Sequence, residues 1–145
     1  MHAALAFALI TAAVAAPNDF LLQAGDKAPP YRMRDLDNNM FSLRDITGAD
    51  ATTKVKKTVL QVFFATWCEP CKAELEDIRK LEKLWKTREV EVVHVGLEQG
   101  AKELIPFALE HRINWPIIPD QWAILGRRYG VSQLPRLFII DRDGN

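Results

Sequence analysis

The chain has 145 residues, with 19 Lys plus Arg, 19 Asp plus Glu and a formal net charge of zero; 48% of its residues are hydrophobic and 26% charged. This composition excludes a disordered chain, which needs low hydrophobicity and high net charge, and argues against a dedicated nucleic-acid binder, which carries a basic surplus. Two cysteines cannot build a disulfide-dense scaffold or a four-thiolate zinc site, and the length suits one domain with a buried core.

Residues 3–16 are apolar and mostly small, and Pro17-Asn18-Asp19 after them are polar. That pattern predicts a secretory signal peptide over residues 1–16, cleaved after Ala15 or Ala16, and a mature domain over 17–145. The run is shorter than the roughly 20 residues that span a bilayer. Met1-His2 lacks the usual Lys or Arg, so an apolar membrane anchor upstream of this start stays open. Export places the mature chain in the periplasm or another extracytoplasmic compartment, where disulfides persist.

The next segments alternate between strand and helix signals. Residues 20–30 are extended, because Pro29 and Pro30 forbid helix there. Asp37-Asn38-Asn39 is a turn between short strands at 31–36 and 40–43, which makes a hairpin. Residues 47–57 are polar and read as a surface loop; Lys54, Lys56 and Lys57 within it are too few to argue nucleic-acid binding. Residues 58–65 are β-branched and aromatic, hence a buried strand. Residues 71–87 place Leu75, Ile78, Leu81, Leu84 and Trp85 at helical spacing, with Lys and Glu on the other face. A second buried strand covers 90–97, and a helix 102–112 with Pro106 in its first turn. A short helix over 122–129 ends at Gly130, a third strand covers 136–141, and 141–145 is a turn. Strands joined through helices imply βαβ crossovers and a largely parallel sheet. His94 within the second strand is expected to be a structural histidine, His111 exposed, and Trp85, Trp115 and Trp122 core or groove-lining aromatics.

The chemistry sits at Trp67-Cys68-Glu69-Pro70-Cys71, where the two cysteines are separated by two residues at a strand-to-helix junction. A helix N-terminus offers free N–H groups and the positive end of its dipole, which stabilise an anion. Cys68, just before the helix, is expected to be the exposed thiolate, and thiols in such motifs ionise at about pH 3.5–7.5. Cys71, one turn inside, can reach the same sulfur. Pro70 suits the first turn, and Trp67 is expected to cover one side of the site. Half a zinc site or an inert disulfide are the other readings of such a pair; zinc lacks its further ligands here, since no second CxxC or His pair exists.

With these residues the chain resembles the thioredoxin superfamily, and within it the exported TlpA/ResA-like thiol–disulfide oxidoreductases. Gly25-Asp26-Lys27-Ala28-Pro29 and Ser42-Leu43-Arg44-Asp45 are similar to that group's N-terminal hairpin region. Residues 63–72 are similar to its active-site strand and helix start, and residues 129–135 followed by 137–141 to its cis-proline loop and next strand. The resemblance implies an α/β thioredoxin-like fold: a mixed sheet with flanking helices, an N-terminal β-hairpin and a helical insert after the second core strand. It implies that Pro135 is cis and faces the cysteines, and that the backbone of Leu134 pairs with a substrate strand. It further implies a Cys68–Cys71 disulfide, a disulfide-bearing protein substrate, an upstream membrane thiol electron donor, a monomer, and no metal or organic cofactor. Cytochrome c maturation is a task typical of the group.

Some positions depart from the group's pattern. Val62 stands where thioredoxin has a buried Asp, whereas Glu74 matches a Glu that the ResA-like group carries three residues after the second cysteine. Glu74 is therefore expected to tune the thiols or accept a proton, with a solvated helix carboxylate as the plainer reading. Glu69 places a negative charge beside Cys68, which disfavours thiolate and makes the pair more reducing, while Arg136, where the group often has Thr, would favour thiolate. A peroxiredoxin-like peroxidase needs Thr or Ser three residues before the cysteine, where Ala65 stands. A copper-delivery module of the same fold needs a longer cysteine spacing and a His near the proline loop. The group also continues beyond the position of Asn145 with an antiparallel strand and a helix, so the third strand is expected to leave a bare sheet edge and the chain to be a piece of a longer protein.

Overall fold

A computed structural model describes residues 22–145; the expected signal peptide lies outside the described residues. Two short strands, β1 (Arg32–Arg34) and β2 (Met40–Ser42), pair antiparallel as the predicted hairpin. The second is one residue shorter than expected, because Leu43 instead opens the four-residue helix α1 (Leu43–Ile46).

The central sheet has the order β5-β4-β3-β6. Strands β3 (Thr58–Phe64), β4 (Val90–Leu97) and β5 (Ile117–Asp120) run parallel, and β6 (Arg136–Ile140) is antiparallel to β3. The sheet is therefore mixed, and the largely parallel arrangement implied by crossovers holds for three of its four strands. The long apolar runs of β3 and β4 follow from burial on both faces. Alternate residues serve opposite layers. Val59 and Phe63 join Tyr31, Leu125, Tyr129 and Ile140 on one side, while Val62 and Phe64 meet the helices on the other.

Helix α2 (Glu69–Lys86) buries Cys71, Leu75 and Ile78, the 3–4 spacing that lines one helical face. Helix α3 (Ala101–Glu110) buries Leu104 and Phe107 on the same side of the sheet. Its approach depends on Gly96, where a Cβ would stand 2.6 Å from both Leu104 methyls. Pro106 is the sixth residue of α3 and not in its first turn. It deprives the Lys102 carbonyl of a partner, and Lys102 is exposed, so water can serve that group. His111 is half-buried against Phe107, with ring centroids 4.2 Å apart, and not exposed as expected. The last helix, α4 (Ile124–Arg128), is shorter than predicted; Trp122 precedes it and is 70% exposed rather than packed. Gly130, at φ 62°, lies just past its end. Strand β6 forms the sheet edge with Leu137 and Ile139 exposed.

Candidate active site

Strand β3 delivers the chain into a short turn, Ala65-Thr66-Trp67, and Cys68 caps α2 from an extended backbone conformation. The Cys71 N–H donates to Cys68 Sγ at 3.3 Å, and the Cys68 N–H donates to the Ala65 carbonyl at 3.1 Å. Cys68 thus occupies the position where a helix's unpaired N–H groups meet a side-chain acceptor. Pro70, second in the helix, has no N–H to leave unsatisfied there. The two cysteines are joined in a disulfide with their Cα atoms 5.3 Å apart.

Exposure of Cys68 is not found: it is 4% exposed and Cys71 2%. Both pack with Phe64, Ala65, Leu75, Leu104, Phe107 and Ile117. Bonding to Cys71, which sits on the buried face of α2, draws the Cys68 sulfur inward. Trp67 does not cover the pair; it is 72% exposed and offers an apolar face to solvent beside the site.

Leu134 is half-buried against the cluster that holds both cysteines, and the Leu134–Pro135 peptide is cis, as the resemblance implied. Glu69 is exposed and pairs with Lys72 at 2.6 Å, so its charge is shared with a cation one turn on. Arg136 lies elsewhere than expected. It pairs in register with Phe63, and its guanidinium stands 5.5 Å from the Phe138 ring centroid. That is the face of the sheet opposite the cysteines, because alternate strand residues point to opposite sides.

Glu74 is half-buried, and its Oε2 is buried with no hydrogen-bond partner. Burial, and secondarily the neighbouring Asp77 charge, raise its pKa above the ordinary carboxylate value. The fold therefore favours the protonated form. That penalty is absent at pH below the unfolded carboxyl pKa and complete above the raised folded value. Glu74→Gln is expected to raise the urea midpoint at pH 7 relative to wild type, with the difference closing as pH falls to about 4. An equal gap at both pH values would mean that the carboxylate's ionisation costs the fold nothing.

His94 is buried with its pKa lowered to about 3 by burial, hence neutral, and its Nδ1 accepts the Trp115 indole N–H at 2.7 Å. It is a satisfied core residue, as read from the sequence. Two residues escaped sequence reading. Gln99, just after β4, binds Thr66 through both ends of its amide: the Thr66 N–H donates to Oε1 at 2.8 Å, and Nε2 donates to Thr66 Oγ1 at 2.7 Å. Asp120, at the end of β5, is 1% exposed and accepts the N–H groups of Ile124, Leu125 and Gly126 at 2.7, 3.2 and 2.8 Å. For Gln99 the only sequence signal was a polar residue just after an expected buried strand; for Asp120 there was none, because no strand was expected there. Among the described residues no group of three His, Cys, Asp or Glu could hold a metal, and no helix is long and apolar enough to cross a membrane.

A CxxC pair capping the helix that follows a central strand, with a cis-proline loop packed beside it, defines a thioredoxin-like domain. The chain belongs to the AhpC/TSA family, whose model matches residues 24–145. It is 32% identical over 125 residues to the thioredoxin-like protein YneN of Bacillus subtilis, covering 85% of this chain and 68% of that protein. It is 28% identical over 123 residues to the thiol-disulfide oxidoreductase ResA of Bacillus thuringiensis, again with 85% of this chain covered, and it spans 66% of that relative's length. Its fold is similar to the crystal structure of a Chlorobium tepidum protein assigned as thiol:disulfide interchange protein DsbE. There the TM-score is 0.74, with 28% identity, 85% of this chain and 81% of that one covered.

Proposed function

We propose that this chain is a thiol–disulfide oxidoreductase that reduces disulfides in exported proteins. The observation that carries the reading is the disulfide between the cap of α2 and the first turn of the same helix. In the reduced protein the Cys68 thiolate attacks a substrate disulfide, forming a mixed disulfide and releasing one substrate thiolate. The Cys71 thiolate then attacks the Cys68 sulfur, releasing the second substrate thiolate and leaving the Cys68–Cys71 bond. Two electrons pass to the substrate, and an upstream membrane thiol donor restores the dithiol. Leu134 and Pro135 align the substrate strand, and Trp67 and Pro70 contact it beside the sulfurs. Support comes from the relatives named for this exchange.

The test is catalysed reduction of insulin disulfides by dithiothreitol, followed as turbidity. A rate at the uncatalysed background would sink the reading. Peroxide consumption, the alternative chemistry, is expected to be absent because Ala65 stands where a peroxidase needs Thr or Ser.

Glu74 lies one turn after Cys71 on α2, and the reading extends to it as a residue that tunes the thiols of the reduced protein. A carboxylate near a thiolate disfavours it, so Glu74→Gln is expected to move the Cys68 titration to lower pH, read as thiolate absorbance. Superimposable curves would make Glu74 an ordinary helix carboxylate.

Export rests on the apolar run 3–16 and its small-residue end. Mass spectrometry of protein from its native host is expected to find a start near Pro17. Retention of Met1 in a soluble cytoplasmic protein would refute it.

A further inference from the structure

We infer that Gln99, outside the CxxC motif, is a positioning residue that fixes the turn carrying Cys68. Gln99 is 8% exposed, and its amide oxygen and nitrogen both bond to Thr66, the oxygen to its N–H and the nitrogen to its hydroxyl. Thr66 stands two residues before Cys68, in the link between β3 and α2. Within that link the Cys68 N–H to Ala65 carbonyl bond is local. The Gln99 clasp instead ties the link to the neighbouring strand's end. An amide whose oxygen and nitrogen are both engaged by one residue is fixed in orientation as well as in place.

The corner that holds Gln99 is itself stiff. Glu98 adopts a left-handed backbone at φ 56°, which a non-glycine residue keeps only where its surroundings over-determine it. The Glu98 N–H donates to the Asp120 carbonyl at 3.0 Å. The Gly100 N–H donates to the Glu103 carboxylate at 3.1 Å, and the Gly100 carbonyl accepts the N–H groups of Glu103 and Leu104, each at 3.2 Å. Gln99 is thus held between β5 on one side and the capped start of α3 on the other.

The consequence rests on the oxidoreductase reading. A helix terminus stabilises charge only within its first turn, so the Cys68 thiolate depends on where the link sets its sulfur. Gln99→Leu removes both bonds, leaves the Thr66 N–H without its partner, and lets the link relax. The thiolate loses stabilisation, and the reduced form with it.

The reduced Gln99→Leu protein is expected to titrate Cys68 at higher pH than wild type. Its equilibrium with glutathione is expected to shift about tenfold toward the Cys68–Cys71 disulfide, which corresponds to about 30 mV more reducing. Thr66→Val, which keeps the N–H bond and loses the hydroxyl, is expected to shift both readouts part of the way, and Thr66→Ser to restore them. If Gln99→Leu does not fold, the Thr66 pair decides: a shift in Thr66→Val that Thr66→Ser reverses supports the inference. A lowered unfolding midpoint with unchanged titration and potential would reduce Gln99 to a packing residue and overturn it, as would wild-type values in both Thr66 variants. Wild-type protein that reaches no thiol–disulfide equilibrium with glutathione would sink the oxidoreductase reading itself, and the inference with it.

Discussion

Cys68→Ser is expected to abolish disulfide exchange, leaving insulin reduction at its uncatalysed rate, whereas Cys71→Ser is expected to keep the first chemical step and lose turnover. The two cysteines are almost equally buried, so exposure does not assign the nucleophile. The expectation rests instead on position in the helix. The Cys68 sulfur accepts an N–H at the cap, where an anion is stabilised. Cys71 lies inside the first turn, on the face packed against Phe64 and Leu75. A thiolate at Cys68 can therefore attack an incoming disulfide, while Cys71 acts on the neighbouring sulfur. Cys71→Ser should accumulate mixed disulfides, visible as mass adducts after incubation with an oxidised substrate, and Cys68→Ser should form few. Iodoacetamide should label Cys68 first in the reduced protein. Preferential labelling of Cys71 would reverse the two roles.

The site's chemistry was legible in the sequence because it is local. The pair Cys68 and Cys71, Pro70 and the start of α2 all lie within four residues, and the roles proposed for them are argued from helix geometry. The strands β3 and β4 were legible because both faces are buried and the apolar run is continuous. Strand β5 was missed because Pro116 and Pro119 argue against a strand. It forms because it is an edge strand, where a missing N–H is tolerated. The burial of Cys68 was missed for a different reason. It depends on α3, whose Leu104 and Phe107 come from more than thirty residues away, and sequence spacing carries no trace of that packing.

Arg136 illustrates the limit of a motif position. Its place beside Pro135 suggested a cation at the thiols, but strand alternation sends the side chain to the Phe63 and Phe138 face. One residue of register decides which layer a strand side chain joins. The Gln99–Thr66 pair shows the converse. Its members are 33 residues apart and unremarkable in type, and the pairing of parallel strands β3 and β4 brings their C-terminal ends together.

Asp120→Ala is expected to cause the largest loss of stability among single changes at the ends of the strands. The carboxylate is buried and accepts three backbone N–H groups at the start of α4. The strained turn before the helix is held separately, by the Asp120 main chain, which the substitution leaves in place. Ala123 sits in a left-handed conformation at φ 51°, and its N–H donates to the Asp120 carbonyl at 2.9 Å. Such a conformation costs a non-glycine residue about 1 kcal/mol or more. Without the carboxylate, N–H groups at a partly to fully buried helix start lose their partner. Each hydrogen bond to a charged acceptor contributes about 1.5–3 kcal/mol, and the three are not additive, so a loss of about 3–5 kcal/mol is expected. Against a total stability of about 5–15 kcal/mol this is a large fraction. For a domain of this size it lowers Tm by about 10–20 °C. Asp120→Asn keeps an oxygen acceptor and should lose about half as much. The loss should also reach the proposed exchange reaction, because α4 leads through Gly130 to Leu134, which packs on the cluster that holds the cysteines. The measurement is the denaturant midpoint of the three proteins, together with insulin reduction at a temperature where all remain folded. A midpoint for Asp120→Ala within about 0.5 kcal/mol of wild type, the range of an ordinary surface substitution, would mean that water replaces the carboxylate at those N–H groups.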